Sequence, residues 1–127
     1  MSTLKIPNGH QAIMPYLMLD GASKFSDFVI RVFGAIVTST HYQPGSELIK
    51  HSEIQIGGST VMFSDATKDW PAHPAHMFVY VENADDTYAK ALKEGGTSMM
   101  ELTDQDYGRS CGITDPCGNV WWITSVA

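Results

Sequence analysis

The sequence predicts an α+β fold in which one βαβββ module occurs twice. Three observations carry this. Alternation of two residues, the mark of strands, and a 3.6-residue spacing, the mark of helices, recur in the same order in both halves. Landmarks of the halves sit at a nearly constant offset: Ala22 with Ala84 (84 - 22 = 62), Gly34 with Gly95 (61) and Gly58 with Gly118 (60). The chain has 127 residues, 43% hydrophobic and 17% charged, which suits one compact domain with a real core and excludes disorder.

The elements follow in order. A strand is expected over Ala12 to Leu19 and a helix over Ala22 to Phe33, where Phe25, Phe28, Val29 and Val32 form one apolar stripe at i, i+3, i+4 and i+7. Strands are expected near Ala35 to Tyr42, Leu48 to Ile56 and Thr60 to Asp65. The stretch Ala66 to Pro74, holding Trp70 and two prolines, joins the modules. The second module reads strand (His76 to Val81), helix (Ala84 to Glu94) and strands near Thr97 to Thr103, Tyr107 to Thr114 and Asn119 to Ser125. Its helix carries Ala84, Tyr88, Ala91 and Leu92 on one face, opens with Asp85 and Asp86, closes with Lys90 and Lys93, and runs into Gly95-Gly96, charges and stop that fit the helix dipole. Module 1 spans about 10–66 and module 2 about 75–127 of a single domain covering 1–127.

Charge and composition exclude several functions. Eight Lys and Arg against fourteen Asp and Glu give a net charge of -6, and the basic residues never cluster, so nucleic acid and anionic membranes are not expected partners. No apolar run approaches the ~20 residues that span a bilayer, and the N-terminus lacks a basic segment followed by an apolar one, so a soluble cytoplasmic protein is expected. Cys111 and Cys117 are too few for a disulfide framework and are read as reduced thiols.

Certain segments carry a family resemblance. Met14-Pro15-Tyr16-Leu17 before a helix ending Val32-Phe33-Gly34-Ala35, then His51-Ser52-Glu53-Ile54-Gln55-Ile56-Gly57-Gly58, and Asp115-Pro116-Cys117-Gly118-Asn119 before a last apolar strand, resemble the glyoxalase/bleomycin-resistance/extradiol dioxygenase (vicinal oxygen chelate) superfamily, nearest its PhnB-like and antibiotic-resistance branches. The resemblance implies cupped mixed sheets with helices on the outer face and a ligand on the concave side. It also implies a divalent metal held by one residue from the first and one from the last strand of each module. Those positions fall on Met14, Met62, His76 and Trp122. A thioether and an indole cannot replace carboxylate or imidazole around such an ion, so no metal or other cofactor is expected there.

Alternation along each strand extends the assignment. With Met14 facing the cup come Tyr16 and Met18; with His76 come Phe78 and Tyr80; with Met62 come Thr60 and Ser64; with Trp122 come Val120 and Thr124. The opposite set (Ile13, Leu17, Leu19, Val61, Phe63, Met77, Val79, Val81) is wholly apolar, as a helix-covered face should be. A two-residue turn at Gly57-Gly58 sets Glu53 opposite Met62 and brings His51, Glu53 and Gln55 into the cup. Carrying the 60-residue offset across adds Cys111 and Arg109. The ligand-binding set is therefore Met14, Tyr16, Met18, His51, Glu53, Met62, His76, Phe78, Tyr80, Arg109 and Trp122. His10 and His41 are read as solvent-facing, Cys111 as a buried inert thiol, and Asp104, Asp106 and Asp115 as solvated turn residues.

Thioethers and aromatic plates with few polar anchors suit a small, largely apolar or aromatic molecule, bound or sequestered without a metal. The alternative is a metal-dependent lyase, isomerase, transferase or dioxygenase-type enzyme of the same superfamily with a relocated site at His51, Glu53 and His76. Those three are also the candidate catalytic residues of a metal-free enzyme, with Glu53 as base and His76 or Arg109 steadying negative charge. A homodimer is expected, since relatives often build cups between chains.

Overall fold

The computed structural model describes residues 4–127; Met1, Ser2 and Thr3, counted above in the single domain, lie outside the described residues. The first module is β1 (Tyr16–Leu19), α1 (Ala22–Phe33), β2 (Ile36–Tyr42), β3 (Ile49–Ile56) and β4 (Ser59–Asp65). The second is β5 (His76–Tyr80), α2 (Ala84–Lys93), β6 (Thr97–Gln105), β7 (Gly108–Thr114) and β8 (Val120–Ser125). Their sheets have equivalent strand orders, β1-β4-β3-β2 and β5-β8-β7-β6, with the first pair parallel and the rest antiparallel. The duplicated mixed-sheet fold read from the sequence is the observed one.

Equivalent devices start the two helices. The amide of Ala22 donates to Asp65 Oδ1 (2.9 Å) and that of Ala84 to Ser125 Oγ (3.0 Å), so the last strand of each module satisfies an orphan amide at the start of its own helix. Helix α2 has in addition Asn83 as N-cap, whose Oδ1 accepts from the Asp86 amide at 3.0 Å. Gly57 and Gly58 both have positive φ (55° and 85°), the backbone of a type I′ hairpin that only glycine adopts without strain at both sites. The turn sets the expected register, Ile54 with Val61 and Glu53 with Met62.

One continuous core holds the helix-facing residues of both sheets. Leu17, Leu19, Ile54 and Phe63 of the first sheet join Ile113, Trp121 and Ile123 of the second around Phe25, Phe28, Val29, Ala84 and Ala91 of the helices. Phe25 crosses between modules, edge-on to Phe63 (4.9 Å) and stacked on Trp121 (6.2 Å). At about 25 cal/mol per Å² of apolar surface removed from water, such large buried side chains supply the main term holding the modules together. The free face of each sheet is therefore the one turned away from this shared core.

Three expectations are corrected. Strand β1 begins at Tyr16 rather than Ala12, because Pro15 has no N–H for the ladder; its carbonyl accepts from Met62 N at 2.9 Å, and Met14 lies outside the strand. Ile13, assigned to the helix-covered face, is consequently 87% exposed. Asp115 is not solvated but 4% exposed, accepting from the amides of Cys117 (2.9 Å) and Asn119 (3.0 Å), from Asn119 Nδ2 (3.1 Å) and from Trp121 Nε1 (2.9 Å).

The third concerns the faces of β7. Cys111 pairs with Ile123, and Gly112 with Trp122. Glu53 lies opposite Met62, so the residue equivalent to Glu53 is Gly112 (112 - 53 = 59), whereas Met62 and Trp122 differ by 60. The odd offset inverts the parity on this strand. Cys111 faces the core with no exposed surface, and burial pushes its thiol up to about 11. Arg109 turns to the helix side, donating from Nε to Asp85 (2.9 Å) and more weakly from a terminal nitrogen to Asp104 (3.4 Å), so it does not line the cup. Arg109 beside it holds the Asp85 carboxyl below the usual carboxylate value.

Candidate functional site

The free face of the first sheet carries a polar chain. Glu53 Oε2 lies 2.9 Å from His51 Nε2, and His51 Nδ1 is 3.2 Å from the hydroxyl of Tyr16, whose ring meets the imidazole edge-on at 5.4 Å. The other carboxylate oxygen lies 3.3 Å from His10 Nε2. His10 is thus not solvent-facing: its Nδ1 is 2.9 Å from Thr60 Oγ1, and its segment is tied down by bonds to the Gly9 carbonyl from Thr60 Oγ1 and Gln55 Nε2 (both 2.8 Å). Gln11 completes the strap by pairing with both the amide and the carbonyl of Thr60. A contact between segments some fifty residues apart, with no local pattern to announce it, explains why the sequence does not show His10 in this group.

Beyond Tyr16 the same face opens into a cavity of about 440 Å³, lined by Tyr16, Met18, Gln43, Lys50, Ser64 and Trp70 among others. Met18 and Ser64 are joined by a 3.2 Å contact from hydroxyl to sulfur. Trp70 comes from the linker, where the Thr67 amide donates to the Trp70 carbonyl (2.8 Å) and the Trp70 amide to Thr67 Oγ1 (3.1 Å); the turn projects an indole that is 67% exposed. Trp70 and Lys50 were not among the expected site residues. A tryptophan directly before a proline in a linker is the one signal that could have marked the first.

On the second sheet, Trp122 Nε1 donates to His76 Nδ1 at 3.2 Å, and the rings lie 6.0 Å apart. The indole crosses Gly112, where a Cβ would lie 2.6 Å from Trp122 Cζ3, so only glycine leaves it this position. Phe78 packs against Tyr80 (5.2 Å) and Tyr107 (6.1 Å). Among the described residues, no hydrogen bond, ion pair or ring contact joins the free face of this sheet to that of the first. His51 and Glu53 are together, whereas His76 belongs to the other half-cup and does not join them.

The four metal positions of the resemblance hold one imidazole, whose Nδ1 is engaged by an indole N–H, together with two thioethers and that indole. Such a donor set does not fit a divalent ion. Nor do the described residues hold a group of three His, Cys, Asp or Glu side chains arranged for one: His10 and His51 take separate oxygens of Glu53. A larger cleft of about 590 Å³ opens at the seam of the modules, beside Phe33, Gly57, Tyr80 and Lys90, away from the Tyr16–His51–Glu53 chain. Among the described residues no helix is long and apolar enough to cross a membrane.

Comparison with known proteins gives a consistent picture. The family model of the Glyoxalase/Bleomycin resistance protein/Dioxygenase superfamily matches residues 15–123. An uncharacterized protein of Mycobacterium bovis is 29% identical over 126 residues, covering 90% of this chain and 82% of its own. Among solved structures, protein PA1353 of Pseudomonas aeruginosa superposes with a TM-score of 0.76 at 19% identity, over 91% of this chain and 98% of its own. TnmS3, described as an antibiotic binding protein from a Streptomyces species, does so with a TM-score of 0.69 at 16% identity, over 93% of this chain and 100% of its own. At these identities the two structures share the fold alone.

Proposed function

This chain belongs to the glyoxalase/bleomycin resistance protein/dioxygenase superfamily, and we propose that within it the protein binds and sequesters a small, largely apolar or aromatic molecule, without a bound metal, on the free face of the first sheet. The observation that carries this reading is the cavity of about 440 Å³ beside Tyr16, Met18, Ser64 and Trp70. An indole and a pliable thioether lining one cavity suit a planar ring system. TnmS3, of the same fold, is described as antibiotic binding, which makes sequestration a use to which such a scaffold is put. His51 and Glu53 supply a polar edge through Tyr16.

Thermal-shift screening with planar aromatics such as quinoline and 2-naphthol tests it. We expect a concentration-dependent rise in Tm that Trp70→Ala abolishes; a panel that moves nothing overturns the reading. Metal analysis of protein purified without a chelator tests the metal-dependent alternative, since stoichiometric metal would favour it over sequestration.

The same reading includes a second copy of the chain. Tyr16, Phe78 and Tyr80 are 49%, 50% and 64% exposed on free sheet faces, more aromatic surface than an isolated domain ordinarily leaves in water. Pairing the first sheet of one copy with the second sheet of another would close each half-cup and bring His76, Phe78 and Trp122 to the ligand. Sedimentation at micromolar concentration is expected to show a dimer; a monomer carrying full ligand affinity would refute the closure.

A further inference from the structure

Strand β3 contains a local departure that the sequestration reading does not use. His41 pairs with His51, but the next pair is Tyr42 with Ile49, so Lys50 is an extra residue without a partner on β2. Ordinary alternation would put Lys50 on the face opposite His51. In the bulge, Ile49 is 4% exposed and packs in the core, and its amide donates to Asp65 Oδ2 at 2.7 Å. Lys50 instead lines the cavity of Tyr16, Met18 and Trp70. Bulges re-aim side chains in this way at the expense of ladder pairing, and they concentrate beside binding sites.

Lys50 is the cation lining that cavity and has no carboxylate within ion-pair distance among the described residues. Asp65, the acid that lines it, has each oxygen engaged by a backbone amide, Ala22 N and Ile49 N. The chain as a whole carries a net charge of -6 and repels anions, so a free ammonium beside an aromatic plate sets this cavity apart electrostatically. Gln43 and Ser64 add neutral hydrogen-bonding groups on the same lining.

We propose that the cavity selects planar aromatic acids, the rings lying against Trp70 and Met18 and the carboxylate or comparable anionic oxygen pairing with Lys50. This rests on the sequestration reading and names its ligand class. A matched pair of probes of nearly equal shape, 2-naphthoate and 2-naphthamide, tests it by titration calorimetry at low salt, with Trp fluorescence as a second readout. The expected result is at least tenfold tighter binding of the acid, falling below threefold in Lys50→Met and kept in Lys50→Arg. Lys93→Met, on the exposed side of α2, has the same net charge as Lys50→Met and should leave the preference intact. Equal affinity of acid and amide in the native protein, or a preference that survives Lys50→Met, overturns the proposal while leaving sequestration standing. If neither probe nor any neutral aromatic binds, sequestration falls and this proposal with it.

Discussion

Replacing Asp115 by alanine should be among the most damaging changes outside the apolar core. The carboxylate accepts from four N–H groups, the amides of Cys117 and Asn119, the side-chain amide of Asn119 and the indole of Trp121, all within 3.1 Å. Asn119 and Trp121 are 0% and 2% exposed, so three of the four orphaned donors have no route to water; Cys117 is only half-buried, and its amide can be hydrated. At about 1–3 kcal/mol for each buried donor left unmade, with relief for those water can reach, Asp115→Ala should cost about 3–5 kcal/mol. That is a large part of the ~5–15 kcal/mol that holds a domain of this size. Asp115→Asn keeps an acceptor for the two backbone amides but presents an NH₂ to the indole N–H, and should cost about 2–3 kcal/mol. Urea unfolding at pH 7, read as a shift of midpoint at constant slope, measures both. Asp104→Ala, near the end of β6 with a side chain 88% exposed, is the control and should change stability by less than about 0.5 kcal/mol. An Asp115→Ala cost below about 1 kcal/mol would refute the assignment of this residue as the hub of the turn.

Other outcomes follow from the same geometry. Gly112→Ala sets a Cβ 2.6 Å from the Trp122 ring, so the indole must swing away and give up its bond to His76; a loss of about 1–3 kcal/mol and a changed Trp emission spectrum are expected. With both thiols pushed up to about 11 by burial, Cys111 and Cys117 should react with Ellman's reagent at pH 8 far more slowly than in urea, where about a hundredfold more thiolate forms. Because these are acids with raised folded values, the stability they confer is complete below the unfolded value of 9.0 and fades as pH climbs toward 11; Cys111→Ala should flatten that alkaline limb of the urea midpoint. For Asp85 the sign is opposite: its lowered value gives a contribution present above 3.8 and lost as pH falls through the folded value, and Arg109→Ala should remove that acid limb without altering binding of an aromatic probe.

Period-two and 3.6-residue patterning was enough to read the repeat, because each element buries one face and the pattern is local. Helix α1 has the expected ends, Ala22 and Phe33, and the Gly57-Gly58 turn sets the expected register of β3 on β4. Tyr16, Met18 and His51 lie on the free face for the same reason: alternation along a strand is a property of neighbouring residues. Where local backbone chemistry interrupts alternation, parity reasoning goes astray, at Pro15 before β1 and wherever the offset between modules becomes odd, as it does for Cys111 and Arg109.

The sequence by itself thus determined the duplicated α+β architecture, the apolar composition of the helix-covered faces and the absence of a ligand set at Met14, Met62, His76 and Trp122. Tertiary structure alone decided which polar groups meet. It brings His10 onto Glu53 across 43 residues of chain (53 - 10 = 43), turns Lys50 into the cavity through a bulge, sets Trp70 of the linker on the same cavity lining as Met18, and keeps His76 apart from His51. The physical reason is one of range: secondary structure follows from interactions a few residues apart, whereas a site is assembled by contacts between distant segments, and a single inserted residue in a strand redirects a side chain from one face to the other.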